Sequence, residues 1–385
     1  MIKSRNKYLY LLVIVVTLGA FYLRYTLFTY KSIDIRAHLL NWYVYIKKYG
    51  FWAYGHRFSD YTPAYTYLLG LAVILPIKKL YAIKLISVIF DFISALFVYK
   101  LVELRYPQRK IIPVLAYSTF LFIPTVVLNS SSWGQCDIIY TAFIIISLYY
   151  LITASNYKQN LVSILLFGIA CSFKGLGIFL LPVYIITCIK RGISLWSLLI
   201  IPFSYAVSLI PALFAGRGVW DLVTLFSYQI NKYDVLAFNA PTIYVFLGKW
   251  KWLFIPGVVS ALIITSVFMI FVLKHIKKIT YNGGLIIKLS LFFSLLVPFI
   301  LPRMHERYFF LADVLSVIYA FYFSEYFYIP VFIITVSLLN YMHVLFDAPQ
   351  ANPHYLAFAV LLIIIMVFCD LRRTFAVTKG KKTIQ

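Results

Sequence analysis

Long apolar runs recur from one end of the chain to the other, and they constrain the fold more than any other feature. Thirteen stand near 8–28, 63–77, 84–102, 111–128, 138–153, 160–173, 175–189, 195–214, 252–274, 285–301, 309–323, 328–346 and 354–369. In lipid every backbone N–H and C=O must be satisfied internally, so only helices or a closed barrel cross a membrane. These runs are continuous rather than alternating, which points away from a barrel and predicts an all-α polytopic membrane protein. With 63% hydrophobic and 12% charged residues, 385 residues have too little polar surface for a soluble fold.

The formal charge of +23 would suggest nucleic acid on a soluble protein. Here basic residues at helix ends face anionic headgroups and set orientation, so the membrane lipid is the expected partner and nucleic acid is not. Lys3, Arg5 and Lys7 before the run 8–28 resemble the start of a signal peptide. That run is too long for one and no small-residue cleavage site follows, which predicts a retained first span. Cys136, Cys171, Cys188 and Cys369 lack metal-ligand spacing and are expected as buried free thiols.

Both tails are basic, ending in Arg372, Arg373, Lys379, Lys381 and Lys382. The positive-inside rule then requires an even number of crossings, so one run does not cross. The short run 63–77 opens with Pro63 and ends at Pro76-Ile77-Lys78-Lys79. It fits a juxtamembrane or re-entrant helix inside a long first external loop, about 30–83. A single transmembrane domain over 1–385 with about 12 transmembrane helices results. Lys100/Arg105/Arg109/Lys110, Lys190/Arg191 and Lys274/Lys277/Lys278 fall on the cytoplasmic side. Asp34 with Asp60, Asn129 to Asp137, Lys174, and Arg303 to Arg307 fall together outside, beside the long external loop 216–251 with Asn239-Ala240-Pro241. A face carrying both signs beside apolar helices suits a reaction chamber.

Asp34, just past the first span, can act as a general base toward a hydroxyl, or simply pair with Arg36 or Lys31. In Asn129-Ser-Ser-Ser-Trp-Gly-Gln-Cys-Asp137, Trp133 offers a ring face for a sugar while Gln135 and Asp137 can bind hydroxyls. A polar turn with an interfacial Trp is the alternative. Lys174, between two short runs, can neutralise a lipid phosphate or merely snorkel. In Leu301-Pro-Arg-Met-His-Glu-Arg-Tyr-Phe309, Arg303 and Arg307 would face one way if they share a helical turn, and could then clamp a phosphate. An internal salt bridge of Arg307 with Glu306 competes with that role. His305 joins the phosphate candidates; Asp60 and Glu306 join the sugar or acceptor candidates. Asp91 and Asp313, within spans, are expected to pair inside the bundle.

Taken together, Asp34 followed by Trp42, then Trp-Gly-Gln-Cys-Asp at 133–137, then Met-His-Glu-Arg-Tyr-Phe at 304–309, resemble the GT-C glycosyltransferases. Within that superfamily the chain is most similar to bacterial relatives of the second GPI mannosyltransferase family. The resemblance covers roughly 30–310. It implies a GT-C type helical bundle, a polyprenyl-phosphate-linked sugar donor and an inverting single displacement with the first-loop Asp as base. It also implies a glycan or glycolipid acceptor, and an extracytoplasmic site in a prokaryotic plasma membrane. Lys174 matches the lysine that approaches the donor phosphate, but Gly175-Leu176 follow it where the GPI branch often has Pro-Gln. The hexose is therefore open, with mannose and glucose as candidates.

The residues agree with that chemistry. A lipid phosphate is already a good leaving group, so one base and fixed cations suffice, unlike the two carboxylates of glycosidases. No Gly-rich nucleotide loop or Asp-x-Asp pair occurs, so no nucleotide site or other cofactor is expected, and the residues name no metal site. Two other readings remain: a ligase moving a whole glycan from a polyprenyl diphosphate, and a flippase of lipid-linked sugars. A flippase would line a mid-membrane path with charge and often shows internal repeats; no clear repeat is seen.

Overall fold

The structure, a computed structural model, describes residues 2–232, 234–248, 250–276 and 279–380. Among the described residues it is mainly α-helical, with one short parallel strand pair, Ala237–Phe238 with Met304–His305. Among the described residues, seven helices are long and apolar enough to cross a membrane: Lys7–Thr26, Lys79–Arg105, Leu195–Phe214, Lys251–Ile276, Gly283–Ile300, Ser324–Phe346 and Pro353–Ala376. The chain is an integral membrane protein.

An eighth span exists if Ile111–Leu121 and Pro124–Trp133 are one broken helix, bent by 50°. The break has a local cause. Pro124 disfavours helical backbone at the residue before it, and Ile123 takes ψ 120. The other apolar runs also form helices, but short ones: Pro63–Ile74, Asp137–Thr153, Tyr157–Phe173, Leu181–Arg191 and Phe310–Tyr322. At about 1.5 Å per residue these fall short of a hydrocarbon core roughly 30 Å thick, so length and apolarity alone count seven or eight spans rather than twelve. The first loop holds the helices Leu40–Tyr49 and Pro63–Ile74, and the stretch 216–251 contains the short helices Val219–Val223, Leu225–Asn231 and Tyr244–Leu247.

The chain divides into two compact units. The first comprises Met1–Tyr149, Leu165–Gly175 and Ile200–Asn231. The second comprises Tyr150–Ile164, Leu176–Leu199 and Lys232–Gln385.

In the first unit, Lys79–Arg105 packs along Ile111–Leu121, and Ile2–Thr26 packs on the latter. Charges in this apolar setting are matched. Arg24 Nε donates to Asp91 Oδ2 at 2.6 Å, Ser130 Oγ donates to the same oxygen at 2.7 Å, and Arg24 and Asp91 are both fully buried. Asp91 thus pairs inside the bundle as expected, with a partner that spacing alone did not name. Lys84, also buried, donates to Leu27 O at 3.0 Å and Tyr30 O at 2.6 Å. It satisfies carbonyls orphaned at the end of the first helix and so fixes where the following loop starts.

Removing one partner of a buried ion pair strands the other in a low-dielectric site, at a cost on the order of 3–5 kcal/mol. Asp91→Ala is therefore expected to lower the melting temperature in detergent sharply. Arg24→Met/Asp91→Leu should recover most of the loss. A double variant as unstable as the single one would show that packing, not the stranded guanidinium, sets the cost.

The second unit centres on Gly283–Ile300, whose residues Leu285 to Ile300 are all buried. The helix starts where Asn282 accepts a hydrogen bond from Leu285 N at 3.0 Å, a side-chain cap. Phe254–Ile276, Phe310–Tyr322 and Pro353–Gly380 pack around it. Lys288 pairs with Asp370 at 2.6 Å, and Tyr319 OH donates to Asp370 at 2.6 Å. Asp313 accepts from Ser337 Oγ at 2.8 Å, again inside the bundle. Lys190 and Arg191 cap helix ends, donating to Ile276 O and Leu151 O. Lys277, Lys278, Lys381 and Lys382, used above for orientation, lie outside the described residues. Cys136, Cys171 and Cys188 are buried and in no disulfide, whereas Cys369 is exposed on the last helix, correcting the expectation that all are buried.

Candidate functional site

Two π-helical turns position the first candidate site, and such turns recur at functional sites. One, Ile35–Leu39, starts right after Asp34; the other, Leu128–Trp133, runs into the Trp-Gly-Gln-Cys-Asp segment. Between Trp133 and Gln135 the chain reverses through Gly134 at φ +73. Its positive φ favours glycine, and a Cβ there would also press on the Ile35 side chain, 2.8 Å from Cδ1, which could yield by a change of rotamer. Ser32 fastens the other side, with its Oγ donating to Trp133 O at 2.9 Å and accepting from Ile35 N at 3.2 Å. Ser87 Oγ donates to Gln135 O at 2.7 Å, anchoring the segment to Lys79–Arg105.

The result is a carboxylate held by two donors. Trp133 Nε1 donates to Asp34 Oδ2 at 2.8 Å and Gln135 Nε2 donates to the same oxygen at 2.5 Å. Tyr61 OH donates to Gln135 Oε1 at 2.6 Å. That bond leaves the amide one useful orientation, NH₂ toward Asp34. Trp42 packs edge-on to Tyr61, with centroids 5.2 Å apart. Asp34 is partly exposed while Trp133 is 2% exposed.

Two residues further on, Asp137 forms an ion pair with Lys174 and accepts from Asn129 Nδ2 at 3.0 Å. Asp137 is fully buried and Lys174 is 14% exposed. Asn129 is fully buried too. Asp60 is partly exposed, and its carbonyl accepts from Gln229 Nε2 at 2.5 Å.

Of the candidates read from sequence, the first unit thus brings Asp34, Trp133 and Gln135 into one hydrogen-bonded group and Asp137 and Lys174 into another. The two groups are joined by the segment 133–137. Two roles change. Trp133 is buried with its N–H on Asp34, so it supports the carboxylate instead of offering a ring face. Asp137, buried on Lys174 and Asn129, fixes the lysine in place of presenting a carboxylate to hydroxyls. Sequence reading missed Tyr61, Ser32 and Ser87; a tyrosine or serine in an aromatic-rich loop carries no signal of its partner.

The Arg303 to Arg307 cluster lies in the second unit and is not one helical turn, which corrects the premise of a shared face. Arg303 takes φ +61, Met304–His305 pairs with Ala237–Phe238, and only Glu306–Phe309 coils, as a 3₁₀ turn. Extended backbone between the arginines removes the spacing that would align them. Arg303 Nη2 reaches Asp234 Oδ1 at 3.4 Å, and its guanidinium lies over the Phe254 ring, 3.9 Å from the centroid. Lys251 also pairs with Asp234, and its hydrogen bond holds that exposed carboxyl below the usual range. Arg307 Nη1 donates to Glu306 Oε1 at 3.2 Å, the internal salt bridge weighed above. Glu306 is 2% exposed, and His305 Nδ1 lies 3.9 Å from its other oxygen. Among the described residues no group of three or more His, Cys, Asp or Glu is placed to hold a metal. The chain matches no protein-family model and no curated protein.

Proposed function

We propose that this protein is a GT-C type glycosyltransferase with about 12 membrane crossings, which moves a hexose from a polyprenyl-phosphate carrier to a glycan or glycolipid on the extracytoplasmic face of a prokaryotic plasma membrane. One observation carries the reading. A five-residue segment, 133–137, holds a carboxylate at one end through Trp133 and Gln135 and an ammonium at the other through Asp137. A base and a cation fixed on one short stretch are the two functions that sugar transfer from a lipid phosphate needs.

In the proposed step an acceptor hydroxyl attacks the anomeric carbon from the face opposite the phosphate. The bond from that carbon to the phosphate oxygen breaks, the hydroxyl proton passes to Asp34, and the carrier departs as polyprenyl phosphate. Configuration inverts. Lys174 offsets the charge that grows on the departing phosphate, with Asp137 fixing its direction. For the loop of the second unit we propose anion recognition by Arg303, His305 and Arg307. Full activity in an Arg307→Ala/Glu306→Ala variant would reduce the Arg307 part to a structural salt bridge.

The test is purified protein with a synthetic polyprenyl-phosphate hexose and a lipid-linked acceptor. Transfer from that donor and none from a nucleotide sugar is expected; the reverse preference rejects the reading. Tyr61→Phe probes the support of the base. It frees the Gln135 amide to turn and should lower kcat about tenfold, the worth of one well-placed hydrogen bond, with KM and melting temperature nearly unchanged. A rise in KM with kcat intact would place Tyr61 in substrate binding instead.

A further inference from the structure

The first unit carries a second polar cluster that the proposed reaction does not use. The span Leu195–Phe214 ends at Phe214, and Gly216 at φ +97 turns the chain so that Arg217 N donates back to Ala212 O at 3.0 Å. Arg217 is 6% exposed although it sits at the end of a span. Its Nε donates to Asp221 Oδ2 at 2.6 Å, while its Nη2 is buried with no hydrogen-bond partner. Asp221 Oδ1 accepts from Arg57 Nη1 at 3.2 Å, and the Arg57 guanidinium lies over the Tyr228 ring, 3.6 Å from the centroid. The loop bearing Arg57 is held against this turn at Gly55, where a Cβ would lie 2.0 Å from Ala215 O.

Two guanidinium groups therefore share one carboxylate, and one positive charge is left over. The same region exposes large apolar side chains. Trp52, Phe214 and Trp220 are 66%, 76% and 79% exposed. Tryptophan beside the end of a span marks the headgroup level, the depth at which lipid phosphates lie. Arginine is suited to that partner, because its fork matches phosphate oxygens and is weakly hydrated.

We propose that Arg57 and Arg217, sharing Asp221 beside Trp52 and Trp220, form a seat for the phosphate of a membrane lipid. The lipid's chains would lie on the exposed aromatic side chains, and its phosphate would take up the surplus charge through Arg57, the accessible member of the pair. This seat does not depend on the glycosyltransferase reading. The phosphate belongs to a bulk anionic phospholipid or to a polyprenyl phosphate.

Native mass spectrometry of the full-length protein in mild detergent tests the seat and separates the two sources. The probes are phosphatidylglycerol, phosphatidylcholine, a polyprenyl phosphate and inorganic phosphate. One tight adduct with phosphatidylglycerol or polyprenyl phosphate is expected, about tenfold weaker in Arg57→Gln and in Arg217→Gln. Asp221→Asn, which releases both arginines, should hold the lipid more tightly. Polyprenyl phosphate binding tighter by about tenfold would identify a carrier seat; equal or tighter phosphatidylglycerol would identify a bulk-lipid seat. Arg57 is 32% exposed, so its replacement leaves the fold intact. Adducts unchanged in Arg57→Gln, or equally strong with phosphatidylcholine, overturn the proposal, as does binding of inorganic phosphate alone.

Discussion

Asp34→Asn is expected to cut sugar transfer by roughly 10²- to 10⁴-fold, with expression and melting temperature unchanged. The amide keeps the carboxylate's shape, and its oxygen can still accept from Trp133 Nε1 and Gln135 Nε2, which now meet at Asp34 Oδ2. What disappears is the proton acceptor. A loss confined to kcat, with donor binding retained, would fit a group that acts as the acceptor hydroxyl attacks. Near-normal turnover would remove Asp34 from the mechanism. Asp60 would then be the next carboxylate to test, since Asp137 is buried on Lys174 and Asn129.

The second large effect is expected at Lys174. A preorganised cation beside a departing phosphate is worth on the order of 10²- to 10³-fold in rate. Lys174→Ala also strands the buried Asp137 carboxylate, so the variant should lose stability as well as activity. The two losses can be separated. Lys174→Ala/Asp137→Ala removes the stranded charge and should recover most of the melting temperature while transfer stays low and the donor concentration for half-maximal rate stays high. If activity returned together with stability, Lys174 would be a structural partner of Asp137 and nothing more. Lys174→Arg keeps the charge on a wider head and should rescue partly.

The helices were readable because an apolar run in lipid has one low-cost backbone conformation, and each of the thirteen runs is helical in the structure. The membrane character followed from that alone. How many runs cross was less readable, because Pro63–Ile74 and Asp137–Thr153 are apolar yet short, and length decides a crossing. At the candidate site, Asp34 and the 133–137 segment stood out by residue type. Their mutual hydrogen bonds did not, because they depend on a glycine turn at 134 and on two π-helical segments with no periodic signature. The Arg303 to Arg307 loop shows the same limit more sharply. Its spacing suited a helical turn, but pairing of Met304–His305 with Ala237–Phe238, far earlier in the chain, drew it out as a strand. Arg24 was invisible as the partner of Asp91 for a like reason: nothing in a span's sequence says which neighbour it packs against.

The proposed reaction adds one sugar outside the membrane. Mass spectrometry of surface glycans from cells with the protein, without it, and with only its Asp34→Asn form tests that most directly. The expected result is a glycan lighter by one hexose in the deletion and in the Asp34→Asn strain, restored by the native chain. Loss of a whole polymer in the deletion would indicate a ligase, and glycans of unchanged mass in all three strains would contradict the transferase reading.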